Sequence, residues 1–453
     1  MDTDHRFYVM QDRDSTRILA PSLRQAAEEE PEVLALDAAV GALDLSALEA
    51  QYGRVGHPAY PPGVMLKVLL YGYSLGLRSS RQLERACKRD DAFRFLAGGL
   101  RPDHNSLCRF RRRHAGELPA LFAQTVRLCQ EAGLVGLGEV ALDGTKLRAN
   151  RAKATLRARQ RWRQARAEAE AADQGAGEEP AGEGEAEECA FLRTREGIQP
   201  AYNAQVAVEG EHQVVLACGV DTAPNDSGHL APLVEQVRET CGGAPGRVLA
   251  DGSYANNAGI ACVEGQGVAV YVPVREPGQA QLEWVAEAEA YRCRAGHWLR
   301  FGGWSRGRRL YQYSGCKGCP QGKACGVRGR SKRVYVWPEE SPVGRVRARL
   351  ATPPGQAIYA RRKVIVEPVF GKFKHNWGFR RLLLRGRSGA NIEWTLLCVA
   401  HNLRKWAQAT GLRARGLGLR LGRLRRWRRG LPRAWRSSAA APLPRPLLPR
   451  TGY

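Results

Sequence analysis

Two short apolar runs in this 453-residue chain lead directly into Asp-Gly: VALDG, which ends at Asp143, and RVLADG, which ends at Asp251. Acids placed at the ends of neighbouring strands are held close together by a rigid sheet, and their negative charge is tolerable only beside cations. A fold that uses both must therefore bring these two strands into one sheet. Asp-Gly is also a common turn dipeptide, and either run alone reads as readily as a turn. A third acid, Glu367, lies in YARRKVIVEPVFGKFK, with Lys374 seven residues on. Two helical turns separate them, a spacing that would set both on one face, the acid toward metal and the ammonium toward a phosphate. Pro368 pushes the residue before it away from helical torsions, which places Glu367 at a helix start or a kink. Asp226, in NDSGHL, competes for the same role but stands with Asn225 and Ser227 before a helix, and is read as an N-cap.

The surrounding pattern is α/β. Val140–Leu142 reads as a strand that stops at Asp143, with Gly144 turning the chain. AYNAQVAV and VVLACGVD flank a hairpin at Glu209–His212, the helix HLAPLVEQVRETCGG follows, and RVLAD, NNAGIACVEG and VAVYVPV read as strand, helix and strand. This order describes a mixed sheet with flanking helices. Residues from about 40 to 135 are helical instead: VMLKVLLYGYSLGL is apolar nearly all round, and Ser79 with Gln82 fits a capping box. Asp103, Asn105 and Ser106 offer caps for LCRFRRRHAGEL, whose Arg109, Arg111, Arg112 and Arg113 read either as a solvated face or as DNA contacts. The expected organisation is a helical, DNA-binding region 1–135, a first catalytic part 136–274 with a disordered insert at about 165–190, a cysteine-containing lobe 275–345, a closing part 346–410 carrying Glu367, and a flexible basic tail 411–453.

Seventy Lys and Arg against 45 Asp and Glu give a net charge of +25, which calls for a polyanionic partner, nucleic acid before a membrane surface. No apolar run reaches bilayer length, and the start MDTDHRFYVMQDRD is too acidic for a secretory signal, so the chain is read as cytoplasmic. Of 12 cysteines, Cys293, Cys316, Cys319 and Cys325 alone look organised, with His297 as a substitute ligand. CKGC supplies one knuckle for structural Zn²⁺, free thiols are the alternative, and the compartment disfavours a disulfide.

With these residues together, the chain resembles the DDE transposases of bacterial insertion sequences, a branch of the RNase H-like superfamily. Tyr359, Arg362, Glu367 and Lys374 follow the family's spacing of Tyr, two residues, Arg, a short spacer, Glu, six residues and Lys, with four residues between Arg362 and Glu367 where three is commonest. The helical segment from GHPAYPPG to RFRRRH, and the runs AYNAQVAV and VEPVFGKFK, are similar to those enzymes. The resemblance implies an RNase H-like core in which Asp143, Asp251 and Glu367 bind two Mg²⁺, replaceable by Mn²⁺, for cleavage at transposon ends and strand transfer into target DNA. It further implies DNA contacts by Tyr359, Arg362 and Lys374, a homo-oligomer on DNA, a place at the bacterial nucleoid, and a Cys-containing insert before the Glu. A stand-alone RNase H-like nuclease and a non-catalytic DNA-binding protein are the rival readings.

Overall fold

The computed structural model describes residues 22–410 apart from 29, 54–57, 153–156, 158–188, 195, 275–281, 322–324 and 326–329. The basic tail expected over 411–453, and nearly all of the insert expected at about 165–190, lie outside the described residues.

Eight helices open the chain: α1 (Leu23–Glu28), α2 (Pro31–Gly41), α3 (Ser46–Glu49), α4 (Pro62–Ser74), α5 (Ser80–Arg89), α6 (Asp91–Leu96), α7 (His104–Arg113) and α8 (Leu118–Glu131). Proline sits in the first turn of α2, α4 and α8, where its missing N–H has no intrahelical acceptor to lose. The apolar circumference of α4 is explained by its burial, with Leu66, Val68, Leu69, Leu70 and Tyr73 all at 0% exposure. Asp90 and Asp103 cap α6 and α7, accepting from Phe93 N and from Asn105 N and Ser106 N. Ser79 stands at the N-cap of α5, yet its side chain makes no capping bond, so the expected capping box does not form.

The main sheet contains β1 (Glu139–Arg148), β2 (Ala190–Thr194), β3 (Gly197–Glu209), β4 (Val215–Asp221), β5 (Arg247–Leu249) and β6 (Ala269–Tyr271). Its order is β2-β3-β1-β5-β6, and β4 also pairs with β3. β1 is antiparallel to β3 and parallel to β5, and β5 is parallel to β6. The antiparallel half is joined by tight connections such as the β3–β4 hairpin. The parallel half needs crossovers, supplied by α9 (Leu230–Cys241) before β5 and α10 (Asn257–Glu264) before β6.

β1 does not stop at Asp143. It continues to Arg148, with Asp143 opposite Val206 and Gly144 opposite Gln205. Gly144 serves clearance here instead of a turn: an added Cβ would run into Gln205 Nε2 and lie 2.9 Å from Asp226 Oδ1.

A second sheet, β7 (Leu282–Val285), β8 (Ala290–Cys293), β9 (Trp298–Ser305), β10 (Arg308–Tyr313) and β11 (Lys332–Val336), closes on its own small core of Leu299, Tyr311, Val334 and Val336. The chain then returns through α11 (Pro342–Ala351), α12 (Pro353–Gly371) and α13 (Gly386–Ala409).

Glu367 lies within α12, four residues from its end, and not at a helix start. Pro368 removes the N–H that would reach the carbonyl of residue 364, and Gln213 Nε2 donates to that Val364 oxygen at 3.0 Å. The defect is thus satisfied from outside, and the helix runs on into one π turn, Lys372–Asn376.

One continuous core joins the opening helices to the main sheet and α13. Asn402, fully buried on α13, acts like a strand edge for β4: its Oδ1 accepts from Val215 N at 2.9 Å, while Nδ2 donates to Val215 O at 2.8 Å and Thr125 Oγ1 at 3.3 Å. Replacing it with leucine strands the Val215 N–H and C=O in an apolar interior, at a cost of about 1–3 kcal/mol for each unsatisfied group. Chemical denaturation of Asn402→Leu should therefore show a loss of several kcal/mol, whereas Thr125→Val, which removes the long bond from Asn402 and the hydroxyl's bond to the Phe122 carbonyl within its own helix, should lose about 1 kcal/mol.

Candidate active site

The register of the parallel pair sets the geometry. Ala141 pairs with Leu249, the last paired residues, and Asp143 and Asp251 each lie two residues farther on, Asp143 still within β1 and Asp251 just past the end of β5, close enough for the charge of Asp251 to act on Asp143. Asp251 follows the end of β5 and caps the 3₁₀ turn Gly252–Tyr254, accepting from Ser253 N at 2.7 Å. Asp143 is held by its neighbour's amide, Gly144 N to Oδ1 at 2.9 Å.

Helix α12 covers the sheet face that carries Asp143 and Thr145, since alternate β1 residues share a face. Arg362 Nη1 lies 3.3 Å from Asp143 Oδ2, and Lys374 Nζ donates to Thr145 Oγ1. Burial pushes the Asp143 carboxyl up to about 6, with the charge of Asp251 adding to it; Arg362 and the Gly144 amide oppose the rise. Arg362 itself is raised, because Asp143, Tyr359 and Asp251 outweigh its burial. Burial also raises the Tyr359 hydroxyl, against the pull of Arg362. Nε of Arg362 is buried without a hydrogen-bond acceptor, and Nη1 meets Asp143 only as the 3.3 Å ion pair.

Glu367 rides on α12 between Arg362 and Lys374, so it belongs to the same side of the sheet. Its side chain is exposed and makes no hydrogen bond or ion pair among the described residues. The three acids are therefore near one another by element but not drawn together: the one set of three or more metal-type ligands within 4.8 Å among the described residues is Glu209, Glu211 and His212. That set is a hairpin turn, in which Glu209 Oε2 already accepts from Glu211 N at 3.0 Å and His212 N at 2.6 Å. The donor set of Asp143, Asp251 and Glu367 consists of carboxylate oxygens, which suits a hard divalent cation, and burial of Asp143, with the charge of Asp251, makes its negative charge costly without one.

Asp226 departs from its expected role. Helix α9 starts at Leu230 with His229 at the N-cap and no side-chain cap, and Asp226 turns inward instead. Its Oδ1 accepts from Asn203 Nδ2 at 2.7 Å and Gln205 Nε2 at 2.6 Å, with Lys146 Nζ at 3.4 Å; its Oδ2 accepts from Ser253 Oγ at 2.8 Å. A cap signature in sequence, Asn-Asp-Ser before a helix, hid this residue; the alternation of Asn203 and Gln205 on a buried strand was the available sign that a polar partner faced them.

In α7, Arg109, Arg112 and Arg113 are exposed, Arg113 lying 4.7 Å over the Tyr52 ring. Arg111 is buried and structural, donating to Tyr73 Oη, the Arg78 carbonyl and Ser80 Oγ. In the second sheet, Cys293, Cys316, Cys319 and Cys325 line one small cavity together with His297, Leu299, Tyr313 and Lys332. Left-handed glycines shape the chain at both ends of it, Gly296 (φ 80°) after Cys293 and Gly318 (φ 78°) between Cys316 and Cys319. Burial raises the Cys316 thiol, and the other three thiols raise it further. Their sulfurs do not meet the 4.8 Å mutual spacing of a closed site.

Among the described residues, no helix is long and apolar enough to cross a membrane. Residues 24–113, spanning α1 to α7, match the family model of a transposase domain, and residues 297–407, which carry Glu367 and Lys374, match that of a transposase DDE domain. Asp143 and Asp251 fall between the two matched segments. No curated protein matches the chain. Two transposase segments in one chain, joined through a shared core and bracketing the main sheet that bears Asp143, support its reading as an insertion-sequence DDE transposase.

Proposed function

We propose that Asp143, Asp251 and Glu367 form the catalytic set of an RNase H-like core that cleaves DNA at the ends of its element and joins the freed 3′ end to target DNA. The observation that carries this reading is the register that sets Asp143 on β1 and Asp251 just past the end of β5 at matching distances from the last paired residues, with Arg362 ion-paired to Asp143. A sheet with three antiparallel strands followed by two parallel ones, β4-β3-β1-β5-β6, supports the fold assignment. Two Mg²⁺, or Mn²⁺, would be held by the three carboxylates and would supply Lewis-acid stabilisation of the attacking and leaving oxygens.

The chain's own residues then have distinct tasks. Asp143 and Asp251 are fixed by the sheet, and the exposed Glu367 closes on them by a side-chain rotation. Arg362, whose buried Nε has no hydrogen-bond acceptor, takes a phosphate oxygen, and its ion pair with Asp143 holds the charge balance until then. Lys374 and Tyr359 line the same rim. Arg109, Arg112 and Arg113 contact the DNA backbone as part of a helical region ending near residue 135, and their contribution is largely sequence-independent. The enzyme works as a homo-oligomer on DNA, in the cytoplasm at the nucleoid. Cys293, Cys316, Cys319 and Cys325 hold a structural Zn²⁺ that fastens the lobe of the second sheet; four thiols around one cavity support this.

Purified protein given a fragment that carries its element's ends should nick it in Mg²⁺ or Mn²⁺, and Asp143→Asn, Asp251→Asn and Glu367→Gln should each lower cleavage by at least about a thousandfold while DNA binding persists. Full cleavage by these variants would end the assignment.

The raised Asp143 carboxyl makes a separate claim about pH. Because the fold favours its protonated form, its contribution to stability is fully present below the ordinary aspartate value of 3.8 and is lost as pH rises through about 6. That difference is worth about 3 kcal/mol at most. Metal-free protein should lose stability relative to Asp143→Asn between about pH 4 and about pH 7, and Mg²⁺ should restore it at the upper pH only. Parallel melting curves of the two proteins would contradict this.

For the cysteine lobe, elemental analysis should find one zinc per chain. Cys319→Ser should release it and lower the melting temperature, and a zinc-free wild type with the same melting temperature would favour free thiols.

A further inference from the structure

The polar cluster around Asp226 is used by no step described above, although it touches the candidate site. Lys146, Asn203 and Gln205 share the sheet face opposite Asp143, since Gly144 pairs with Gln205 and Lys146 with Asn203. Asp226 lies on that face with its oxygens committed to Asn203, Gln205, Lys146 and Ser253. These donors hold it below the usual carboxylate range, overcoming the opposing effect of burial. Gln205 in turn accepts from the buried Tyr254 hydroxyl through Oε1. The cluster reaches the site at two points. At Gly144, the residue after Asp143, Gln205 and Asp226 occupy the space a side chain would need. At Ser253, the hydroxyl lies between two carboxylates, Asp226 Oδ2 at 2.8 Å and Asp251 Oδ1.

We propose that Asp226 is a positioning residue that orients the carboxylate of Asp251 through the Ser253 hydroxyl. A serine hydroxyl carries one proton and two lone pairs, so it can donate to only one of the two carboxylates at a time. When it donates to Asp226, its position is fixed, the Ser253 amide alone donates to Asp251 Oδ1, and the negative charge of Asp251 stays available to a cation. Asp226 is poorly suited to ligation itself, because four donors, one of them an ammonium, already face its oxygens. Groups that hold a metal ligand in place typically change affinity about 10- to 100-fold when removed.

The inference rests on the reading of Asp251 as a metal ligand, and the test separates the two. Mn²⁺ binding to the full chain, with zinc supplied throughout, is measured by electron paramagnetic resonance, alongside the Mg²⁺ concentration for half-maximal end cleavage and the melting temperature. Ser253→Ala should weaken Mn²⁺ binding about tenfold and raise the Mg²⁺ requirement similarly, while Ser253→Thr, which restores the hydroxyl, should stay within about twofold of the wild type. Asp226→Asn should weaken Mn²⁺ binding to the same degree, and the double variant should be no weaker than either single one, because both act along one route. Unchanged Mn²⁺ affinity in Ser253→Ala, or additive losses in the double variant, overturns the proposal. Abolished binding in Asp226→Asn with normal binding in Ser253→Ala overturns it in favour of direct ligation. If Asp226→Asn does not fold, the serine pair decides the matter alone. Asp251→Asn is the control: retained Mn²⁺ binding there refutes the metal-site reading itself, whereas lost binding there with normal binding in Ser253→Ala refutes only the positioning role.

Discussion

Strand β1 is hydrogen-bonded on both sides, and the rest of the molecule is arranged from it. Antiparallel pairing with β3 runs the length of the strand from Val140 to Arg148, and parallel pairing with β5 holds its first half. Because the parallel partner ends where the antiparallel one continues, the strand becomes one-sided at Asp143. There the sheet opens, and a side chain can meet both Asp251 and a covering helix. A register slip of one residue would turn Asp143 to the opposite face and Gly144 towards α12. The close packing of Gln205 and Asp226 over Gly144 resists that slip, since a side chain there would displace both.

Buried polar groups bind the helical region to this sheet more specifically than apolar contact alone. Asn402 completes the edge of β4, and Trp394 Nε1 donates to the carbonyl of Gln205 at 3.0 Å. Glu393, with 0% exposure, accepts from Leu383 N, while Arg78 donates to the carbonyls of Arg381 and Gly378 and stacks on Phe379. Arg111 then holds the backbone of Arg78. This chain of contacts runs from α7 to the loop before α13, so one of the arginines on the basic helix is a fastener between elements while its neighbours face solvent. Such groups are costly to bury unpaired, which makes each of them selective for one docking geometry.

Charge is balanced at the site by protein groups standing where cations and phosphates are expected. Arg362 neutralises Asp143 and Asp251 in part, through a 3.3 Å ion pair of Nη1 with Asp143, while its buried Nε has no hydrogen-bond acceptor. The arrangement keeps two acids tolerable in a half-buried position and leaves attraction for both a cation and an anion. Glu367 is exposed on the covering helix, whereas Asp143 is set by strand geometry and Asp251 by the turn it caps after β5.

Much of this was legible in the residues. The apolar runs ending at Asp143 and Asp251, the hairpin at Glu209–His212, the helices after it and the cysteine grouping follow from local periodicity and turn chemistry, which act over a few residues. Local rules misled where a distant partner overrode them. Gly144 read as a turn, yet β3 carries the strand through it; Pro368 read as a sign that Glu367 stands at a helix start or a kink, yet the helix begins fourteen residues earlier and Gln213 from the hairpin satisfies the carbonyl the proline orphans. Asp226 read as a helix cap, because no local pattern reveals that Asn203, Gln205, Lys146 and Ser253 converge on it from two strands and a turn. The sequence by itself determined the kinds of groups available, three acids, a basic surface and a thiol cluster, and the elements that bear them. Tertiary structure alone decided which face each group occupies, because strand register and helix docking depend on pairing between segments more than fifty residues apart.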